Sequence, residues 1–387
     1  MPLKHYVSRL IHYYKTDGLL YTIGRILDHA HWRNPIRVMI VKEIQRRRLI
    51  KHYCPATQRL IIFLTLGHNW VSGGILSITS IYNETFKLKE IHGAEVVMCT
   101  IPGSELLLKY TKFKNQNYLY SFLNVLDYFQ ECEELLIHIP ELYVETFAED
   151  FTKLFHGQQK KLKCLHINIM LQNIDMIPLR ASIKKLETLG RVTCTTAHEA
   201  YSGYETEERI GCRIHKLSVW LSPEPYLHIG YSEKDDLMII SLDSHELKSK
   251  VLGIIAKQFP QLRLQVIKNL SYEKYRKVIS KAKWAITFGE GLDGYFVETI
   301  LSGGIAFAVY NDRFFTEDFK TLRTVYPDYV TLIQNICADI RELDDEVCYT
   351  QYQKQQFEIC SKYYNYETYK DNLSSFYRKY FTTVSGV

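Results

Sequence analysis

The sequence has 387 residues, 46% of them hydrophobic, which predicts two domains with large buried cores. It contains no uninterrupted apolar run of about 18 residues and no apolar signal-peptide core at its N-terminus, so we expect a cytoplasmic protein without a transmembrane helix. Nine dispersed cysteines, none in a Cys-x-x-Cys pair, argue against a disulfide framework and a structural zinc site.

The net charge of +5 resides in one segment. Residues 1–52 carry eleven Lys or Arg and three acidic residues, a local charge of +8, so the rest of the chain sums to −3. This distribution argues against a nucleic-acid-binding surface over the whole protein. Apolar spacing in the segment predicts two or three helices, which with the clustered Arg46, Arg47 and Arg48 suit an anionic membrane surface. The alternative is a helical hairpin packed on the protein with a solvated basic face.

From residue 59 onward, apolar runs alternate with helical patterns. Runs that are apolar along their whole length are typical of strands buried on both faces of a parallel sheet. The alternation therefore predicts a doubly wound sheet, in a domain that we place at residues 53–225. The predicted strands are Leu60–Leu64, Ala94–Cys99, Leu135–Ile139, Cys164–Ile169, Val192–Thr196 and Leu217–Leu221, and the predicted helices are Leu142–Phe155 and Pro178–Leu189.

A segment at 222–236 that contains Pro and Gly predicts the crossing to a second βα domain, which we place at 226–350. Residues 351–387 predict C-terminal helices that can cross back to the first domain. The expected fold class is α/β, with two Rossmann-like βαβ domains facing across a cleft and a helical N-terminal extension. The predicted second-domain strands are Leu237–Ile240, Leu262–Ile267, Trp284–Phe288 and Ile305–Tyr310, and the helices are Ser244–Gln258, Tyr272–Lys281 and Gly294–Leu301.

The segment from Trp284 to Val309 combines a strand, a Gly-rich turn, a short helix and a second strand. Glu290 lies in the turn, where the carboxyl ends of parallel strands face a ligand crevice. Glycines let the backbone approach a ligand closely, and the N-terminus of the following helix offers N–H groups to phosphate. Glu298 lies eight residues further on, and from the helix its carboxylate can reach the same crevice. The alternative for Glu298 is a solvated helix face.

Two carboxylates at one crevice suit a polyhydroxylated ligand, because each accepts hydrogen bonds from several hydroxyls. The Glu-x7-Glu spacing in this context resembles the donor-site motif of the retaining glycosyltransferases with two Rossmann domains (GT-B), family 4 in particular. The resemblance implies that Glu290 is catalytic and faces the donor sugar, and that Glu298 binds the nucleotide ribose. It also implies that the donor sugar and phosphates are lined by Gly291, Leu292, Asp293, Gly294 and Tyr295.

Three further features extend the resemblance. Gly73 and Gly74 stand between a predicted strand and a helix, where related enzymes have a Gly pair beside the donor phosphates. His198 follows a strand of the first domain, and a His at such a loop contacts the donor sugar in many GT-B enzymes, so it is a second catalytic candidate. A solvent-exposed or helix-capping His is the alternative. No Arg is in register to neutralise the diphosphate, and Lys248 or Lys250 is expected to take that role.

The resemblance implies an enzyme of hexosyltransferase type. It would move a sugar from a nucleotide-diphosphate sugar to a saccharide or lipid-linked saccharide in polysaccharide biosynthesis, with retention of configuration. Because the sequence contains no Asp-x-Asp, we expect transfer without a metal or other cofactor. No nucleic-acid partner is expected, and residues 1–52 would hold the enzyme at the inner face of the membrane.

Other functions stay open on the sequence. A nucleotide-sugar epimerase of the same fold would release a changed nucleotide sugar without any acceptor. A phosphorylase of this fold would generally have a pyridoxal-phosphate lysine in the cleft, and no such lysine can be identified. A non-catalytic membrane-associated scaffold would not bind nucleotide at all.

Overall fold

A computed structural model describes residues 34–381, except 70–71, 112–116, 156–160, 199–201, 219, 221, 223–224 and 269, together with scattered positions between 11 and 26. Most of the helical segment predicted before residue 34 therefore lies outside the described residues. The described chain forms two parallel sheets, each packed with helices. This architecture confirms the predicted α/β fold with two Rossmann-like lobes.

The first sheet consists of β1 (Arg59–Thr65), β2 (Glu95–Thr100), β3 (Leu119–Ser121), β4 (Glu134–Pro140), β5 (Cys164–Leu171), β6 (Arg191–Thr196) and β7 (Ile214–Lys216). All neighbouring strands are parallel, in the order β3-β2-β1-β4-β5-β6-β7. Strands β1 and β4 are buried along nearly their whole length, which explains their continuous apolar sequence. The strand order reverses between them, so a crevice opens at their carboxyl ends.

The first lobe contains the following described helices in chain order, and the first of them precedes β1. They are α1 (Pro35–His52), α2 (Gly73–Lys87), α3 (Lys89–His92), α4 (Phe122–Tyr128), α5 (Val144–Phe155), α6 (Arg180–Glu187) and α7 (Tyr204–Ile210). The predicted helices at 142–155 and 178–189 are confirmed with slightly shorter bounds.

The predicted strand Leu217–Leu221 is wrong. The seventh strand lies just before it, at Ile214–Lys216, and is only half buried. The chain leaves the sheet at Ser218, which has a positive φ of 66° and donates a 2.6 Å hydrogen bond to the carbonyl of Tyr363. Ser218 therefore contacts the C-terminal helices rather than extending the sheet.

The second sheet is parallel as well. It contains β8 (Asp235–Ile240), β9 (Arg263–Val266), β10 (Ala282–Ile286), β11 (Ile305–Val309) and β12 (Val325–Tyr326), in the order β12-β11-β10-β8-β9. Its helices are α8 (Lys248–Gln258), α9 (Tyr272–Lys281), α10 (Gly294–Leu301) and α11 (Tyr329–Leu343). The strand order reverses between β8 and β10, which places a second crevice at their carboxyl ends. The four predicted strands are confirmed, whereas the two-residue β12 was not predicted.

Two C-terminal helices join the lobes. Helix α12 (Glu346–Tyr363) packs on the second sheet, where Gln356 bonds both backbone groups of Ala306. Helix α13 (Tyr366–Tyr380) packs on the first lobe instead. The hydroxyl of Tyr377 lies 2.7 Å from Thr85 Oγ1 and 3.1 Å from His138 Nε2, all buried. The predicted domain boundaries themselves stay predictions.

Helix α1 packs on the first lobe. Asn34 caps its N-terminus, and buried Gln45 bonds the carbonyls of Leu107 and Leu119 and the amide of Ser121. Buried Arg37 forms a 2.8 Å ion pair with Glu105. Within the described parts of the chain, no helix is long and apolar enough to cross a membrane.

Candidate active site between the two lobes

The carboxyl ends of the two sheets meet at one cavity of about 410 Å³. Loops after β1, β5 and β6 line it from the first lobe, and loops after β8, β9 and β10 line it from the second. Both strand-order reversals therefore open onto the same space, which we call the cleft cavity. Arg313 of the second lobe forms an ion pair with Asp175 of the first, so charged side chains bridge the lobes directly.

Glu290 lines the cleft cavity from the turn after β10. The turn has two glycines with positive φ, Gly289 at 72° and Gly291 at 78°. A Cβ on Gly291 would lie 2.7 Å from the Phe315 ring and 2.8 Å from the carbonyl of Val309, so only glycine fits there. Burial, together with the negative charges of Asp243 and Asp175, raises the pKa of Glu290. The turn thus presents a carboxyl group whose ionised form is disfavoured by burial and by two acidic neighbours.

Glu298 lines the same cavity from α10 and is only 3% exposed. It therefore does not lie on a solvated helix face, as the alternative interpretation required. Its Oε1 accepts hydrogen bonds from the hydroxyls of Tyr226 at 3.3 Å and Tyr272 at 3.4 Å. Burial raises its pKa to about 7, and hydrogen bonds from Tyr275, Tyr226 and Tyr272 oppose this rise. Its protonation state therefore changes near neutral pH.

Between the two glutamates, the chain turns into α10 through Asp293. Its carboxylate caps the helix by accepting the amide of Phe296 at 3.0 Å. Thr287 Oγ1 donates a 2.7 Å hydrogen bond to the carbonyl of Gly291 and holds the turn against the end of β10. The cavity is lined here by the predicted residues Leu292, Asp293, Gly294 and Tyr295, whereas Gly291 lies beneath them.

Gly73 and Gly74 begin α2 and line the cavity from the first lobe. Ser72 caps the helix by accepting the amide of Ile75 at 3.3 Å. Gln172 Nε2 donates to the carbonyl of Gly74 at 3.2 Å, and a Cβ on Gly74 would lie 3.0 Å from Gln172 Oε1. The N-terminus of α2 therefore faces the cavity without a side chain at its first turn, and its dipole favours a negatively charged ligand.

His198 also lines the cavity, after β6. Its backbone amide donates to Thr196 Oγ1 at 3.2 Å, which holds the loop at the end of the strand. Burial lowers the pKa of its imidazole to about 4, so the ring is neutral at physiological pH. A neutral imidazole has one donor and one acceptor nitrogen and can orient a hydroxyl group.

Neither lysine proposed for the diphosphate lines the cavity. Lys248 Nζ donates to the carbonyls of Ser241 at 2.6 Å and Asp243 at 2.7 Å, so it stabilises the loop after β8. Lys250 is exposed and lies outside the cavity lining. Among the residues that the structure describes, the lysine that lines the cavity is Lys268, which is exposed and lies two residues after the end of β9. Lys268 could have been predicted from the sequence as a site residue, because it follows the carboxyl end of a predicted strand.

No protein-family model matches the sequence, and no curated protein sequence matches it. Two solved structures share its fold over most of their length. An alpha-glucosyltransferase in complex with UDP superposes with a TM-score of 0.53 at 11% identity, over 80% of this chain and 96% of that one. The Anabaena protein HepE in complex with UDP-glucose superposes with a TM-score of 0.52 at 9% identity, over 83% and 99%. The chain has the GT-B fold.

The GT-B cleft brings together most of the residues predicted from the sequence. Both glutamates, the Gly pair, His198 and the turn from Leu292 to Tyr295 border one cavity, although they come from three separate parts of the chain: the N-terminus of α2, the loop after β6, and the loop after β10 with α10. Sequence reasoning missed Lys268 and the tyrosines that surround Glu298. Tyr226 lies between the sheets and Tyr272 begins α9, so nothing in the local sequence around Glu298 reveals them.

Proposed function

We propose that this GT-B chain is a glycosyltransferase that moves a sugar from a uridine-diphosphate sugar to a hydroxyl group of a saccharide acceptor. The observation that carries the proposal is the placement of Glu290 and Glu298 on one cavity between the lobes, opposite the N-terminus of α2. The cavity volume of about 410 Å³ lies within the usual range for small-molecule sites.

From the charged and polar groups around the cavity, we assign each part of the donor to residues of one lobe or the other. Glu298 lies deep in the second lobe, where an ionised carboxylate accepts the two ribose hydroxyls. Lys268 and the amides at Gly73 and Gly74 would hold the diphosphate, since they supply positive charge and N–H donors. Glu290 and the neutral His198 then remain for the sugar. This assignment of roles follows the resemblance of the Glu-x7-Glu spacing to the family-4 donor motif.

The mechanism depends on charge that develops as the glycosidic bond breaks. The sugar ring becomes positive, and the carboxylate of Glu290 stabilises it; the departing diphosphate gains negative charge, which Lys268 and the α2 amides stabilise. Capping by Ser72 fixes the α2 amides before the reaction, so these donors need little reorganisation. We propose transfer without a metal ion and, by the family resemblance, with retention of configuration.

The proposal also covers the acceptor and the location of the protein in the cell. Helix α1 exposes the apolar side chains of Ile36, Met39 and Ile50 beside Arg46 and Arg47, which share one ion-pair partner, Glu43, and so leave a net positive charge. At 100° per residue the three apolar residues and the two arginines lie on one face of the helix. Such a face suits an anionic membrane surface and would keep the cleft near a lipid-linked saccharide in polysaccharide biosynthesis.

Nucleotide titration by calorimetry tests the proposal. We expect UDP and UDP-glucose to bind, and the Glu298→Gln variant to bind both at least tenfold more weakly while its thermal unfolding stays cooperative. A protein that binds none of UDP, dTDP and GDP would instead be a scaffold.

Incubation with UDP-sugars then separates the two enzyme classes. An epimerase would yield a changed nucleotide sugar in the absence of any acceptor. A transferase would release UDP only in step with glycosylation of an added saccharide or, slowly, with hydrolysis. Formation of an isomeric nucleotide sugar would therefore replace the proposed reaction.

A further inference from the structure

A second cavity of about 650 Å³ is separated from the cleft cavity by a layer of side chains next to Glu298. We call it the hinge groove, because it is bounded by the segment that connects the two sheets, by one face of α2 and by the junction of α12 with α13. Side chains that define it are Asn83, Glu84, Trp220, Phe357, Asn365 and Tyr366. None of these lines the cleft cavity, so the hinge groove is a separate space.

The wall between the two cavities is built from hydroxyl-bearing side chains. Tyr226 donates to Glu298, and the hydroxyl oxygen of Tyr272 lies 2.7 Å from Ser222 Oγ. Tyr364, only 5% exposed, borders both cavities. A ligand in the hinge groove would therefore be separated from the donor by one layer of side chains.

An aromatic cluster forms one side of the hinge groove. The ring of Trp220 lies 5.1 Å from that of Tyr226 and 5.2 Å from that of Tyr366, measured between centroids. All three are only partly buried, so their outer surfaces border the groove. The Tyr366 ring also has the ammonium groups of Lys370 at 4.8 Å and Lys87 at 6.0 Å from its centroid, so Trp220 and Tyr226 offer the aromatic surface that can pack against the apolar C–H face of a sugar ring.

The charges of the hinge groove are already paired. The carboxylate of Glu84 accepts hydrogen bonds from Lys87 at 2.5 Å and from the hydroxyl of Tyr366 at 2.6 Å. Glu367 forms a 2.6 Å ion pair with Lys370. An anionic ligand would have to displace a carboxylate from Lys87, the one lysine or arginine among the described residues that line the groove. The chemistry therefore disfavours phosphates and nucleotides here.

The amide of Asn83 and the carboxylate of Glu84 supply hydrogen-bonding groups to the lining. Asn83 accepts a 2.6 Å hydrogen bond from Asn117 through Oδ1, so its own amide N–H groups can donate. The carboxylate of Glu84 retains further acceptor positions beyond its two partners. Amide donors and carboxylate acceptors beside an aromatic face match the alternating hydroxyls and apolar face of a pyranose.

We propose that the hinge groove is a binding site for a neutral saccharide, distinct from the nucleotide-sugar site in the cleft. A volume of about 650 Å³ lies within the range of small-molecule sites. The proposal goes beyond the proposed transfer reaction, because such binding requires no nucleotide. It places a polysaccharide-type ligand on the surface at which the two lobes and the C-terminal helices join.

Saturation-transfer NMR on the full chain tests this site directly. The probes are the methyl glycosides of glucose, galactose, mannose and rhamnose, and neutral di- and trisaccharides of the same sugars, each with and without excess UDP. We expect at least one probe to bind whether UDP is present or not. Trp220→Ala should weaken its affinity at least tenfold, and Asn83→Ala at least threefold. The matched control Tyr204→Ala, which removes a 73% exposed aromatic on α7, should change nothing.

Two results would overturn the hinge-groove site: absence of binding by every probe, or binding that both Trp220→Ala and Asn83→Ala leave unchanged. Thermal unfolding of each variant verifies that it is folded at the assay temperature. If Trp220→Ala fails this check, Asn83→Ala decides the matter alone. UDP affinity of the wild-type protein is measured in the same samples, so a failure of the proposed transferase function is seen separately from a failure of this site.

Discussion

The hydroxyl of Tyr226 donates a hydrogen bond of 3.3 Å to Oε1 of Glu298. Tyr226 belongs to the segment that connects the two sheets, and Glu298 lies on α10 in the wall of the cleft cavity. The connection between the lobes is thus bonded directly to the carboxylate that we assign to the nucleotide. A displacement of the connecting segment at Tyr226 would therefore change the hydrogen-bond partners of this carboxylate.

The pH dependence of nucleotide-sugar binding tests the role of Glu298. Its pKa of about 7 means that the carboxylate loses its charge as the pH falls from about 8 to about 6. The ionised form accepts ribose hydroxyls best, so the affinity for UDP-glucose should fall about tenfold over this range. The pKa of His198, about 4, lies below the range and does not contribute. Calorimetric titrations of the wild type and Glu298→Gln measure the affinity for UDP-glucose at each pH. If the variant loses affinity by the same factor as the pH falls, Glu298 is not the group responsible.

The raised pKa of Glu298 also predicts that the free energy of unfolding depends on pH. The pKa of Glu298 rises from 4.5 to about 7 on folding, so the folded chain retains a proton that the unfolded chain has lost between these values. This stabilisation is full below about pH 4.5 and is lost as the pH rises to about 7, at a total cost of about 3 kcal/mol. Glu298→Gln removes the titration. Its free energy of unfolding relative to the wild type should therefore increase with pH, as denaturant unfolding at a series of pH values measures; a constant difference would refute the buried, protonatable state.

Lys268 should contribute to the binding of the diphosphate. Lys268→Ala removes the lysine that lines the cleft cavity, and we expect UDP to bind about tenfold more weakly, or by about 1.4 kcal/mol. Lys250→Ala is the matched control, since it removes one exposed lysine outside the cavity. Calorimetry at low salt measures the UDP affinity of both variants. Equal losses in both variants would indicate only a general charge effect.

Gly291 should be needed for the turn that carries Glu290. Gly291→Ala places a Cβ 2.7 Å from Phe315 and 2.8 Å from a carbonyl at a φ of 78°, so we expect a loss of about 2–4 kcal/mol in the free energy of unfolding. Gly253→Ala in α8 is the control, because nothing lies within 4 Å of its Cβ and alanine should stabilise the helix by about 0.5–1 kcal/mol. Chemical denaturation measures both. A stable Gly291→Ala variant would show that the turn has another conformation.

Helix α1 should bind anionic vesicles through its outer face. Gln45 and Arg37 hold the helix on the first lobe, so its deletion would expose the lobe, and surface substitutions are the cleaner test. We expect the double variant Ile36→Ser, Ile50→Ser to lose most co-sedimentation with vesicles of phosphatidylglycerol and phosphatidylcholine. Val330→Ser, which replaces a 63% exposed apolar residue on α11, is the control. Binding that survives the double variant would place any membrane contact elsewhere.

The alternation of strands and helices could be predicted from the amino-acid sequence, since strands buried on both faces must be apolar along their length and leave a pattern that is local in the chain. The sequence also indicated which loop carries Glu290, because the glycines around it are required by positive φ angles and a close contact. Tertiary structure alone decided that Glu298 is buried under tyrosines, that Lys268 rather than Lys250 borders the cleft, and that Ser218 turns the chain out of the sheet. These outcomes depend on contacts between segments distant in sequence, which no local pattern of side chains encodes.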